Sequence, residues 1–245
     1  MSLPQNEYVV RVNGCPFWKD YRSVTFALCV GNPNWEGAKL EAILEWASRH
    51  FDLIRIAVSD TLGRHNYLMR GFTPEKALQM SSAEGDSWLK EHMHQLRLCG
   101  KPCEIVRWDK WRFHPEFNSI YDRYRDLAHH DKDLSKSIEK YITEYLKKLH
   151  HQGEPICPDG YQHCFEYVIE ELAGTTLRAR AFGRSCRIYP APEADWIKLV
   201  RNQAIADAPS GLEQEYYVAF NLRRRKETSI FCSSVDSALS HHIAA

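Results

Sequence analysis

The residues best placed to do chemistry are a phenol and a carboxylate four positions apart, Tyr167 and Glu171. They fall between about Tyr161 and Leu172, where Cys164, Phe165, Val168, Ile169 and Leu172 recur at helical spacing. At roughly 100° per residue that apolar stripe is centred near Val168 and Leu172, and Tyr167 with Glu171 shares its flank at the edge of the core. A carboxylate with a phenol one turn away is a pair that acid–base chemistry could use. A hydrogen bond along the helix surface is the plainer use. Glu170 projects to the opposite side and reads as a solvated charge.

Other chemistries find less support. The eight cysteines (Cys15, Cys29, Cys99, Cys103, Cys157, Cys164, Cys186 and Cys232) are scattered through a chain too large to need a disulfide framework, and reduced thiols are expected. Cys99-x3-Cys103, and Cys157 with His163 and Cys164, lack the second ligand pair of a structural zinc site, so no metal is expected. The loop Gly31-Asn32-Pro33-Asn34-Trp35-Glu36-Gly37 fits neither G-x-G-x-x-G nor the G-K-[ST] ending of a P-loop, which discounts a nucleotide site.

The elements that must carry these residues follow from periodicity. Residues 24–30, Val-Thr-Phe-Ala-Leu-Cys-Val, read as a strand buried on both faces and stopped by Gly31. After the turn-rich loop, Leu40, Ile43, Leu44, Ala47 and Phe51 mark one face of a helix, and 53–58 is a second strand. This βαβ unit predicts a three-layer α/β domain with a parallel sheet, in which ligands bind at the carboxyl ends of the strands. The loop 31–37 and Ser59-Asp60-Thr61 would stand beside that crevice. Further helices are expected over 74–98 and over 134–149, the latter packed on the sheet, with strands at 104–108 and 215–222. Residues 1–228 are expected to form one domain and 229–245 a frayed tail.

Composition bounds the partners. With 32 basic and 32 acidic residues, a polyanion would have to be held by a local patch. No apolar run approaches the ~20 residues that span a bilayer, and the N-terminus lacks a secretory pattern, so a cytoplasmic location is expected, with no membrane partner.

Read in order, five segments resemble the tRNA-dependent cyclodipeptide synthases. Phe26 to Pro33 looks like that family's first-strand motif, and Leu68 to Ala77 like the lead into its fourth helix. Arg107-Trp108-Asp109 before a tyrosine-rich helix also fits. Phe165 to Leu172 carries a Tyr-x3-Glu pair like the family's, and Ile188-Tyr189-Pro190 resembles the X-Tyr-Pro signature of one subfamily. The resemblance implies a Rossmann-like parallel sheet flanked by helices, similar to the catalytic domains of class I tyrosyl- and tryptophanyl-tRNA synthetases. It also implies that two aminoacyl-tRNAs are the partners and that their acyl groups are joined into a diketopiperazine. Because the ester is already activated, no ATP, metal or redox cofactor is needed. The family roles carried over give Glu171 the α-ammonium and its proton, with Tyr167 assisting and Tyr189 positioning the ester. Leu28 and Val30 of the first-strand motif would line the substrate pocket.

Two departures matter. The family's serine nucleophile aligns with Asn32, or with Pro33 after a one-residue shift, and neither can form an ester. Asn32 is therefore expected to donate to an oxyanion, leaving direct attack of one aminoacyl-tRNA on the other, or a nucleophile among Cys29, Ser59 and Thr61. The segment matching the family's basic helix, 73–100, holds four acidic against three basic residues, so the tRNA contact is expected at Arg97, Lys101, Arg107, Lys110 and Arg112, or at 223–226. The acidic stretches near the motifs resemble an arginine-using fungal subgroup, for which Glu36, Asp60, Glu193 and Asp195 would be candidate guanidinium partners and arginyl-tRNA one substrate. The competing readings are an aminoacyl-tRNA-dependent transferase or hydrolase on the same fold and a non-catalytic tRNA-binding module.

Overall fold

The structure, a computed structural model, describes residues 6–12 and 16–225. Lys226 and the segment 229–245 lie outside the described residues. The chain opens with β1 (Tyr8–Val12) and β2 (Ser23–Leu28), whose β-branched and aromatic side chains suit a buried strand. Then come α1 (Gly37–His50), β3 (Leu53–Val58), α2 (Arg64–Met69) and α3 (Pro74–Leu98). After β4 (Cys103–Arg107) the chain is helical through α4 (Asp109–Arg112), α5 (Phe117–His130), α6 (Lys132–His151) and α7 (Gly160–Phe182). It closes with β5 (Ser185–Tyr189), α8 (Asp195–Arg201) and β6 (Glu215–Arg224).

The sheet runs β1-β6-β5-β2-β3-β4, parallel throughout except for β1, which pairs antiparallel with β6 at the edge. The chain builds outward from β2 through β3 to β4, then crosses back to place β5 on the other side of β2. The strand order therefore reverses between β2 and β5, and a crevice opens there at the carboxyl ends of the strands.

Helices cover both faces, giving three layers. On one side α1 and α3 enclose Phe26, Trp35, Leu40, Ile43, Ile54, Trp88 and Phe220 in a core with the sheet. On the other, α5, α6, α7 and α8 pack around Trp108, Trp111, Ile138, Val168, Leu172 and Trp196. The main partners of α6 are α5, α7 and α8, and its buried Leu134, Ile138 and Ile142 belong to the core those helices share.

Two findings revise the reading of α7. The helix continues ten residues past Leu172, because from Val168 to Ala179 nearly every position is buried and the one-sided stripe disappears. Trp108 presses so close to it that a Cβ on Gly174 would sit 2.5 Å from the indole. Glu170 is not solvated. It is 3% exposed and accepts hydrogen bonds from Arg64, from His65 Nε2 at 3.0 Å and from Trp108 Nε1 at 2.8 Å. The reason is α2, which packs on the face of α7 that spacing alone assigned to water.

Candidate active site

At the reversal between β2 and β5 lies a cavity of about 250 Å³. The strands supply Ala27 and Cys29 at the end of β2, Ser59 after β3, Arg187 and Tyr189 from β5, and Tyr217 from β6. From α7 come Tyr167, Glu171, Thr175 and Arg178, which rise one turn apart along one face as helical geometry requires. Tyr141 of α6, Trp108, residues 191–194 and, from α8, Trp196 and Ile197 close the remaining wall.

The polar groups meet at the strand ends. The Tyr189 hydroxyl donates to Cys29 Sγ at 3.5 Å and lies 3.5 Å from Asn32 Nδ2, which donates to it. Asn32 Oδ1 accepts from the Asn34 amide at 3.0 Å, capping the short turn after Gly31, whose φ of 81° only a glycine adopts freely. Asn32 thus steadies Tyr189 from outside the cavity wall. Glu171 accepts no hydrogen bond from any described residue, and burial raises its pKa against the opposing charges of Arg187 and Arg178. Burial, then the Glu171 charge, pushes the Cys29 thiol up to about 11. The phenols of Tyr167 and Tyr189 are raised chiefly by burial, so both stay protonated donors.

Beneath them runs a chain of charges of which the sequence analysis named only Glu193. Glu215, at the start of β6, accepts from Arg178 Nε and an Arg178 terminal nitrogen at 3.1 and 3.2 Å, and lies 3.4 Å from Arg187 Nε. Arg187 reaches Glu193 at 2.8 Å and stacks over the Tyr217 ring, 4.9 Å from its centre. Arg201 completes the row at 2.9 Å from Glu193. Apolar surroundings, in Thr-Thr-Leu-Arg178 and Ser-Cys-Arg187-Ile, were the available signal: an arginine inside a buried run needs a carboxylate.

The expected site residues divide. Tyr167, Glu171, Tyr189 and Glu193 share the cavity, with Asn32 one hydrogen bond behind. Leu28 is fully buried in the sheet core, and Val30 packs against that core. Asp60 is buried, binding the Thr61 and Trp108 amides and Arg107. Glu36 faces His92 at 2.8 Å, and Asp195 lies exposed, 3.8 Å from Lys140. Thr61 donates to Asp109 at 2.6 Å.

The basic residues do not form one patch. Arg107 is engaged by Asp60 and Asp86, Arg112 rests on Phe113 and Lys110 on Trp111, all near the carboxyl end of β4. Arg97 and Lys101 stand before β4, at the opposite end of the sheet. Of the basic run 223–226, Arg224, the last residue of β6, pairs with Glu7.

Comparison with known proteins bears on this arrangement. A family model described as cyclodipeptide synthase matches residues 15–173. No curated protein matches in sequence. Among solved structures, a cyclodipeptide synthase from Fluoribacter dumoffii superposes with a TM-score of 0.79 at 21% identity, covering 89% of this chain and 99% of its own. One from Candidatus Glomeribacter gigasporarum, bound to Phe-tRNAPhe, gives 0.69 at 14% identity over 86% and 92%. A Mycobacterium tuberculosis protein, described as demonstrating that cyclodipeptide synthetases are related to type I tRNA synthetases, gives 0.62 at 14% over 89% and 95%. Since the family match runs from before β2 well into α7, over more than half of the chain, the chain belongs to the cyclodipeptide synthase family.

Proposed function

We propose that this protein joins the acyl groups of two aminoacyl-tRNAs into a cyclic dipeptide, within one catalytic domain spanning residues 1–228. The observation that carries it is the convergence of Glu171, Tyr167 and Tyr189 in one cavity at the strand-order reversal. Glu171, unpartnered among the described residues and raised in pKa by burial, anchors the α-ammonium of the bound aminoacyl group and takes its proton. Tyr167, one turn away, assists it. Tyr189, held by Asn32, positions the ester or its leaving hydroxyl. A tRNA acceptor arm entering at the carboxyl ends of the strands meets Lys110 and Arg112 before Arg97 and Lys101.

Expression in a bacterial host with mass spectrometry of the medium tests the reading. Diketopiperazines absent from the empty-vector control support it. Release of free amino acid alone from charged tRNA would instead favour a hydrolase on the same fold.

The finer expectation, arginine as one of the two residues joined, rests on Glu193 alone among its four candidate carboxylates. Glu193 lines the cavity, whereas Glu36, Asp60 and Asp195 face His92, Arg107 and Lys140. A substrate guanidinium would share Glu193 with Arg187 and Arg201. Competition among charged tRNAs decides it: arginyl-tRNA is consumed first if arginine is a substrate, and is ignored if the pocket takes apolar residues in pairs.

A further inference from the structure

Resting on the synthase reading, we propose that Cys29 receives the first aminoacyl group as a thioester, in the place of the serine this chain lacks. Its position is the first support. Cys29 follows β2 directly, at the strand-order reversal, and lines the same cavity as Tyr167, Glu171 and Tyr189. It is partly accessible there, unlike Cys164 and Cys186, which are buried.

The second support is its partner. The Tyr189 hydroxyl points its proton at Sγ from 3.5 Å, and a donor so placed favours the thiolate as it forms. The thiol rests protonated, with a pKa of about 11, so attack requires a base within the cavity. Glu171 lines that cavity, accepts no hydrogen bond from any described residue and is made more basic by burial.

The alternatives are weaker. Ser59 also lines the cavity, but its hydroxyl makes no hydrogen bond to a described residue that could activate it. Thr61 is 2% exposed and its hydroxyl is engaged by Asp109. Asn32 is no nucleophile and holds Tyr189 instead.

The chemistry closes. Sγ attacks the ester carbonyl of the first aminoacyl-tRNA, the S–C bond forms, the C–O bond to the ribose breaks, and the thiol proton passes through Glu171 to the leaving ribose hydroxyl. The amine of the second aminoacyl-tRNA then attacks the thioester; a C–N bond forms, the C–S bond breaks, and the amine proton restores the thiol. The free amine of the dipeptidyl-tRNA finally attacks its own ester; the second C–N bond forms, the C–O bond to the ribose breaks, and the amine proton passes to the ribose hydroxyl, releasing tRNA and the ring.

The test mixes the purified protein with bulk bacterial tRNA charged with one amino acid at a time, quenches in acid, and reads intact mass and mapped peptides. The expected result is one aminoacyl adduct on the Cys29 peptide, released by neutral hydroxylamine and missing from Cys29→Ala. In Cys29→Ser the adduct becomes a hydroxylamine-resistant ester and turnover falls by about tenfold or more. An adduct on Ser59, or cyclic dipeptide made by Cys29→Ala at the wild-type rate, overturns the proposal while leaving the synthase reading in place. A Cys29 adduct that passes only to water keeps the thioester and removes the synthase.

Discussion

The Tyr189 hydroxyl and the Cys29 sulfur lie 3.5 Å apart across the boundary between β5 and β2, where the strand order of the sheet reverses. That single contact joins the two halves of the fold at the point where ligands enter such sheets. Asn32, from the loop after β2, adds a second donor to the same hydroxyl. The loop and the β5 end therefore act as one unit, with α7 facing them across the cavity.

Replacing the proposed proton acceptor should remove activity without unfolding the chain. Glu171→Gln keeps shape and volume but loses the charge, so cyclic dipeptide formation should fall by roughly 100-fold or more, in the range of a general base. Tyr167→Phe and Tyr189→Phe should each lose less. Steady-state rates beside circular dichroism check this, and a fully active Glu171→Gln protein would remove the assignment.

Asn32 offers a separate prediction, because it stands behind the cavity wall. Asn32→Ala removes one neutral hydrogen bond from Tyr189, worth about 0.5–1.5 kcal/mol, and should lower kcat by roughly 2- to 10-fold with KM little changed. A loss equal to that of Glu171→Gln would mean that Asn32 touches the reacting atoms itself.

The buried Glu170 predicts a pH dependence of stability. Burial alone would raise its carboxyl, but hydrogen bonds from His65 and Arg64 outweigh that and hold it at about 2, against an ordinary value of 4.5. A depressed carboxyl stabilises the fold fully above its unfolded value, and the contribution is lost as pH falls from about 4.5 towards 2; on the order of 3 kcal/mol is involved. Urea unfolding across that window should show the loss in wild type and a flatter curve in Glu170→Gln. An unchanged slope in the variant would place the acid sensitivity elsewhere.

How much of this was legible depended on whether a residue's partner was local. The strand 53–58 and the helix 74–98 could be read within a single window of sequence, and both stand at those bounds. The shared flank of Tyr167 and Glu171 followed from helical geometry, and the structure brings both side chains to one cavity. Glu170 was misread because its partners, Arg64, His65 and Trp108, lie about a hundred or sixty positions away, and spacing within α7 carries no trace of them. The Arg178–Glu215 pair is distant in the same way. β1 went unnoticed because an edge strand of five residues is defined by its pairing with β6, more than two hundred positions on.

The central claim is tested most directly with purified protein and two separately prepared aminoacyl-tRNAs, freed of ATP and treated with a chelator. Mass spectrometry of the reaction should show a cyclic dipeptide whose yield rises with charged tRNA and vanishes when the tRNA is deacylated beforehand. Charged tRNA that survives intact, or that releases only free amino acids, would contradict the account.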